Sequence, residues 1–284
     1  MLMRQFHSPS RLGDYIDSIL LQEDLNPLNY ANRNPVKVLP STMAVIGIQY
    51  GNRMKVIGGS KEELLGTSGI SGLQTSFREY ASTGAIGTII VRFKPGGLAA
   101  FTQYPVHEFQ DANIDLNQLF PPRLVSEMEY RLREASAAEE RVAIVCAFLL
   151  SVFEQRTRDP MITEIARKIQ LQRGQVSIER LAEEFFVGKR TLERKFKALI
   201  GSTPKKFANI VRFQQAIQLR KSGLDYLDII EACDFSDHAH FAHDFKAFAG
   251  CSPDVFFRNE LQPDLARHFN RIRAGTPDSH TMYQ

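Results

Sequence analysis

The sequence predicts an α+β N-terminal domain followed by an all-α domain built on a tandem repeat. Three observations predict it. Residues 36–101 carry short apolar runs broken by Gly (MAVIGIQYG, KVIGG, AIGTIIVRFKPGG), a strand texture. After Pro121-Pro122 the spacing turns helical and breakers become rare. Finally, a segment near residue 196 recurs 49 residues later.

The chain has 284 residues, enough for two ordinary domains. Hydrophobic residues are 43% and charged residues 24%, a globular mix that excludes disordered and fibrous classes. Three widely spaced cysteines, Cys146, Cys233 and Cys251, form no CxxC. That pattern argues against a disulfide framework or zinc module and fits a reducing cytoplasm. The longest apolar stretch, Val142–Phe153, has twelve residues. A membrane span needs about 20, so it reads as a buried core helix. The start, MLMRQFHSPSRLGDY, lacks the apolar region of a signal peptide. The expectation is a cytoplasmic protein without a membrane partner, cofactor or metal.

In chain order, the clearest strand is Ile86–Phe93, stopped by Lys94-Pro95-Gly96-Gly97. Helices are predicted over 123–134 and 139–153. Asp159-Pro160 reads as an N-cap followed by Pro at the first helical position. From there to Phe257 the pattern is helical, and 258–284 is polar with the texture of a frayed tail. These boundaries divide the chain into an N-terminal regulatory or effector domain (1–157), a helical domain (158–258) and a tail (259–284). Charge divides there as well. Residues 1–159 carry a net −1 and residues 160–284 a net +4.

In the repeat, FKALIGSTP at 196–204 matches FKAFAGCSP at 245–253, with Leu192 over Phe241 and Phe207 over Phe256. A repeat of this length is one supersecondary unit used twice. In copy one, Ser177 caps a helix 178–185, residues 186–188 turn, and a second helix runs 189–199 to Gly201. In copy two, Asp225 caps 226–232, residues 233–237 turn, and the second helix 238–249 closes on Gly250. Two helices joined by a short turn, twice, make tandem helix-turn-helix motifs, here joined by a linker helix over 205–221. Such a spacer can hold two reading heads at faces of the major groove about 34 Å apart.

The two copies differ in charge. Gly188–Arg212 holds eight cations and Glu193, net +7; Asp225–Asp254 is net −6. Phosphate neutralisation dominates affinity for duplex DNA, so copy one should carry most of the binding. The bland reading of Lys189, Arg190, Arg194 and Lys195 is a solvated helix face. Their place on a second helix favours double-stranded DNA. Lys205 and Lys206 stand in the first turn of a helix, where the dipole disfavours cations, a hint of phosphate contact. His238, His240 and His243 do not share one helical face, which argues against a metal site. Protonation of exposed histidines would make DNA affinity rise from pH 8 to pH 6, and His243→Gln would flatten the rise.

The segments SIERLAEEFFVGKRTLERKFKALIGSTPKKF and DFSDHAHFAHDFKAFAGCSPDVFF, with the linker between them, resemble the DNA-binding domain of AraC/XylS-type transcription regulators over roughly 160–257. More weakly, IVRFKPGG at 90–97 and PVHEF at 105–109 look like an N-terminal domain of some members. The resemblance implies a one-component, DNA-binding transcription regulator, not an enzyme. By family role, Lys189, Arg190, Thr191 and Arg194 would face one major-groove segment. His238, Ala239, His240 and His243 would face the next. Phe186 stands where the first turn usually has a small residue, Gly188 where a Ser caps, Asp234 where Gly is usual, and Ile230 where Ala is usual. His243 replaces the usual Arg, which puts the second head's contact in doubt.

Other readings stay open. Arg92 and Lys94 beside Gly96-Gly97, with His107, are candidates for binding a small-molecule effector; an ordinary strand and turn is about equally good. Helix 139–153 offers Val142, Ile144, Val145, Phe148, Leu149 and Val152 to a homodimer interface or to its own domain. An adaptor whose acidic second copy docks RNA polymerase is one alternative. A small-molecule enzyme fused to a DNA-binding domain is another, although 1–159 contains no P-loop, HExxH, GxGxxG or nucleophile elbow.

Overall fold

The computed structural model describes residues 2–26, 35–58, 61–154 and 159–258. The expected domain boundary at 157/158 and the polar tail fall outside the described residues.

The N-terminal part is two antiparallel sheets. The larger is ordered β1(Leu2–Phe6)-β2(Ile16–Asp24)-β9(Ile86–Phe93)-β4(Val45–Gln49)-β7(Ser68–Ser71)-β10(Asn113–Asp115). The smaller is β3(Val36–Val38)-β8(Arg78–Ser82)-β5(Met54–Gly58)-β6(Lys61–Leu64). Strand β9 is the predicted one, and it is buried on both faces. Its alternation separates two jobs. Ile89, Val91 and Phe93 enter the core, while Ile86, Thr88, Ile90 and Arg92 face a cavity between the sheets. Strand β4 does the same: Ile46 and Ile48 point to the core, Val45 and Gln49 to the cavity. Strand β2, which the Gly-broken texture of 36–101 does not reveal, is the other neighbour of β9.

Two helices, α1(Pro122–Glu134) and α2(Ala138–Val152), follow as expected. Arg141 of α2 pairs with Glu23 of β2 at 2.8 Å, and Tyr50 donates to the same carboxylate at 2.8 Å. Val142, Ile144, Val145, Phe148 and Leu149 are buried and Val152 is partly buried against the same core, together with Cys146. This corrects the interface option for that face. Its apolar residues pack within the protein, and a homodimer would need another surface.

The helical part runs α3(Pro160–Leu171), α4(Ile178–Glu184), α5(Lys189–Ile200), α6(Pro204–Lys221), α7(Tyr226–Ala232), α8(His238–Ala249) and α9(Pro253–Arg258). Asp159 caps α3 by accepting from the Ile162 amide, and Ser177, Thr203, Asp225 and Asp237 cap α4, α6, α7 and α8 in the same way. Gly201 and Gly250 close α5 and α8 in left-handed conformations, φ +102 and +77. A Cβ at Gly201 would press on Val106, and one at Gly250 would overlap the Phe77 ring.

The repeat is visible in the packing. The rings of Phe196 and Phe207 meet edge-on at 5.4 Å, and their counterparts Phe245 and Phe256 at 5.3 Å. The linker helix α6 is the shared wall. Phe207, Ala208 and Val211 join one buried cluster; Ile210, Phe213, Ala216 and Ile217 join the other. The first cluster is continuous with the core of the N-terminal sheets, so the first helix-turn-helix and the N-terminal domain share one core. The second holds Ile229, Cys233, Phe241, Phe245 and Phe248 and, among the described residues, takes buried Leu39 and partly buried Phe77 from the N-terminal domain.

Candidate nucleic-acid interface

Helix α5 has two faces set by its 3.6-residue period. Leu192, Phe196 and Ile200 are buried, at spacings of four. On the far side Arg190, Arg194 and Lys197 are exposed at i, i+4 and i+7, with Lys189 beside them. Thr191 and Lys195 are half-buried at the margins. Gly188 starts the helix without a side-chain cap.

The structure divides the eight cations of this segment. Lys189 Nζ bonds Glu179 Oε1 at 2.6 Å, across the two helices of the motif. That hydrogen bond is the main cause of a Glu179 carboxyl lowered to about 2. Lys195 Nζ bonds Asp159 Oδ2 at 2.9 Å, tying α5 to the cap of α3. Lys206 lies over the Phe248 ring at 4.9 Å, against the second head. Arg212 is the most occupied: it reaches Asp244 at 3.4 Å and the Asp234 carbonyl at 3.3 Å, and stacks on Phe235 at 4.4 Å. Arg190, Arg194, Lys197 and exposed Lys205 make no side-chain hydrogen bond or ion pair among the described residues. The usable positive face is therefore narrower than the sequence total. It also includes Lys197, whose place opposite the buried stripe follows from i, i+4, i+7 counting.

Helix α8 places His238, Ala239 and His243 on its exposed side. His240 is half-buried: its Nδ1 meets Ser236 Oγ at 3.0 Å and its Nε2 lies 3.5 Å from Asp244. The acidity of this copy is partly internal. Asp225 and Asp237 are helix caps and Asp244 faces Arg212. The turns of both copies carry a non-Gly residue with positive φ, Phe186 at +51 and Asp234 at +55. Phe186 is 98% exposed. Ile230 is partly buried against the second cluster. Burial pushes the Cys233 thiol up to about 11, so it is protonated at neutral pH.

The effector candidates of the first half are not brought together. Arg92 lines the cavity between the sheets. Lys94 donates to the Gly13 carbonyl at 2.7 Å, outside that lining. His107 and Glu108 lie in a 3-10 turn, Val106–Phe109. That turn packs on α5. The cavity measures about 130 Å³ and is mostly apolar, with Gln22, Gln49, Gln74, Thr88 and Tyr80 among its polar residues. Burial raises the Tyr80 phenol, which keeps it uncharged.

Comparison with known proteins agrees with this geometry. Residues 181–259 match the family model described as a helix-turn-helix domain, and residues 4–115 match a domain of unknown function, DUF6597. The chain is 36% identical over 80 residues to the HTH-type transcriptional activator RhaS of Escherichia coli O139:H28, covering 28% of this chain and 29% of RhaS. The chain thus spans about three tenths of the length of the curated relatives it matches. Among solved structures, ToxT of Vibrio cholerae O395 is 12% identical, covering 92% of this chain and 97% of ToxT, with a TM-score of 0.45. The C-terminal domain of AraT from Geobacillus stearothermophilus is 22% identical, covering 37% of this chain and 90% of its own, with a TM-score of 0.34. No helix among the described residues is long and apolar enough to cross a membrane. Residues 181–259, which span both helical repeats, are thus similar to a helix-turn-helix domain and to the matching part of a transcriptional activator.

Proposed function

We propose that the protein is a one-component transcription regulator that binds specific duplex DNA sites, mainly through its first helix-turn-helix. The carrying observation is the outward face of α5. Arg190, Arg194 and Lys197 are exposed and have no side-chain hydrogen bond or ion pair among the described residues, opposite a fully buried Leu192–Phe196–Ile200 stripe. An Arg pair four residues apart on such a helix can fork onto guanine edges, while Lys197 and Lys205 reach phosphates. Thr191 stands at the margin of the same face. The linker helix spans 18 residues, or about 27 Å at 1.5 Å per residue, so the second head lies within reach of the next groove segment. There His238, Ala239 and His243 offer a weakly charged surface. The relative named a transcriptional activator supports activation as the sense of regulation.

The N-terminal domain is the sensor in this reading, with the cavity between its sheets as the effector site and Arg92 on its wall. Helix α7 supports a contact with RNA polymerase. It exposes Leu227, 75% accessible, together with the acids Asp228 and Glu231.

The test is equilibrium binding of full-length protein to duplex DNA across salt concentrations. Four contacting cations predict a slope of log K against log salt of roughly −3 to −4. A slope near zero would remove the DNA-reading assignment of α5.

A further inference from the structure

We propose that the cavity between the two sheets takes an uncharged, largely apolar small molecule bearing one hydrogen-bonding group, and that strand β3 relays its presence to the second helix-turn-helix. This rests on the sensor reading above and adds the ligand's chemistry and the route of its effect.

The chemistry comes from two buried amides. Gln22 and Gln74 are 3% and 7% exposed, and both line the cavity. Gln74 Nε2 donates to the Tyr80 hydroxyl at 2.7 Å, which fixes that side chain, yet its Oε1 has no partner among the described residues. Gln22 stands in a row with Thr88 and Gln49 across β2, β9 and β4. Gln49 is occupied, accepting from the Met54 amide at 2.7 Å, whereas Gln22 Nε2 is unpartnered. A buried polar end without a partner is costly, so two of them lining one cavity mark where a ligand group belongs. Whichever way each amide is turned, the end it offers is neutral. Most of the remaining lining is apolar, including Val36, Val38, Val45, Ile86 and Ile90. A carboxylate there would exchange its hydration for neutral amides and hydrocarbon. Arg92, the single cation of the lining among the described residues, already lies with its guanidinium 3.2 Å from the Met43 sulfur. An apolar protein cavity of roughly 150 Å³ holds a benzene, so about 130 Å³ suits a body the size of one ring.

The route is β3 and the residues after it. Val36 and Val38 face the cavity. Lys37 between them turns outward, donates to the Ala249 carbonyl at the end of α8 at 3.2 Å, and covers the Phe77 ring at 4.2 Å. The Phe77 amide donates to the Phe248 carbonyl at 2.9 Å. Pro40 accepts from Gln214 of α6 at 3.0 Å. Leu39 does both jobs at once, lining the cavity and packing into the second head's core. Among the described residues, none of the first helix-turn-helix lines this cavity, and that head shares the sheets' main core instead. A ligand that displaces Leu39 therefore acts on the second head relative to the first.

The experiment is thermal melting and hydrogen exchange of the full-length protein with three ring-sized probes: benzamide, benzoate and toluene. Benzamide should raise the melting temperature by a few degrees and change exchange at residues 36–40, at Phe77 and in the last turn of α8, leaving α5 unchanged. Benzoate and toluene should do less than a third as much. Gln22→Met should melt about 2–4 °C higher than the parent without ligand, because an unpaired buried amide is gone, and should lose the benzamide shift; Gln22→Leu serves if that variant fails to fold. Leu39→Ala should keep the benzamide shift and lose the change at α8. A benzoate shift equal to that of benzamide overturns the uncharged class while the sensor reading stands. A benzamide shift with no change at α8 overturns the route. No shift with any probe, together with a lower melting Gln22→Met, overturns the cavity as a ligand site and leaves the DNA reading untouched.

Discussion

The two helix-turn-helix motifs share a frame and differ in almost everything laid over it. Leu192 and Phe241, Phe196 and Phe245, Gly201 and Gly250 occupy equivalent buried or left-handed positions. The outer face of α5 carries Arg190, Arg194 and Lys197, and that of α8 carries His238, Ala239 and His243. The cores differ too: the first copy is continuous with the N-terminal domain, while the second joins it through Leu39, Lys37 and Phe77. Repetition preserves what packing demands and leaves the surface free to diverge, so one unit can bind tightly while the other is adjustable.

The largest effects should come from the cores. Phe196→Ala and Phe245→Ala each remove a fully buried ring, a loss of about 3–5 kcal/mol. Their consequences should differ. Phe196→Ala should destabilise the sheets and α5 together, and Phe245→Ala should loosen α7–α9 first. Hydrogen exchange by region checks this, and equal loss across both regions in both variants would erase the distinction.

On DNA, Arg194→Ala should weaken specific binding by about 1–3 kcal/mol, and His243→Ala by less than about 0.5 kcal/mol. Titration of a selected site reads both values, and equal losses would mean that the heads contribute alike.

The turns offer a smaller contrast. Phe186, left-handed and fully exposed, loses no packing when replaced by Gly, so Phe186→Gly should gain about 1 kcal/mol. Asp tolerates that conformation better, and Asp234→Gly should gain about half as much. Denaturant melts measure both. No gain at Phe186 would show that the exposed ring has a stabilising contact.

The smallest effect concerns the Lys189–Glu179 pair. Glu179→Gln should free Lys189 and steepen the salt slope by about one phosphate. Because the Glu179 carboxyl is lowered in the folded state, its pairing supports the fold above the ordinary carboxyl range. That support disappears as pH falls from 4.5 to about 2. The melting difference between parent and Glu179→Gln should close over the same interval.

Much of this was legible in the residues. The 49-residue repeat, the caps Asp159, Ser177 and Asp225, and the closing Gly201 and Gly250 are local signals, and each has a local cause. Strand β9 was legible because β-branched residues stand between glycines and a Pro turn. Strand β2 was harder to see, since IDSILLQED lies outside the Gly-broken region and does not alternate cleanly. The division of cations was not legible, because Lys195–Asp159 and Arg212–Asp244 join residues 36 and 32 positions apart. Nor was the cavity, because Gln22, Gln74 and Leu39 converge only through sheet pairing. Equally, the apolar face of α2 could not be assigned to interface or interior until its neighbours were known.

The most direct test of the central claim is selection of bound fragments from genomic DNA by the full-length protein, with Arg194→Ala and His243→Ala in parallel. The account predicts an enriched motif whose principal half-site vanishes with Arg194→Ala and survives His243→Ala. A motif lost with His243→Ala and indifferent to Arg194→Ala would contradict it.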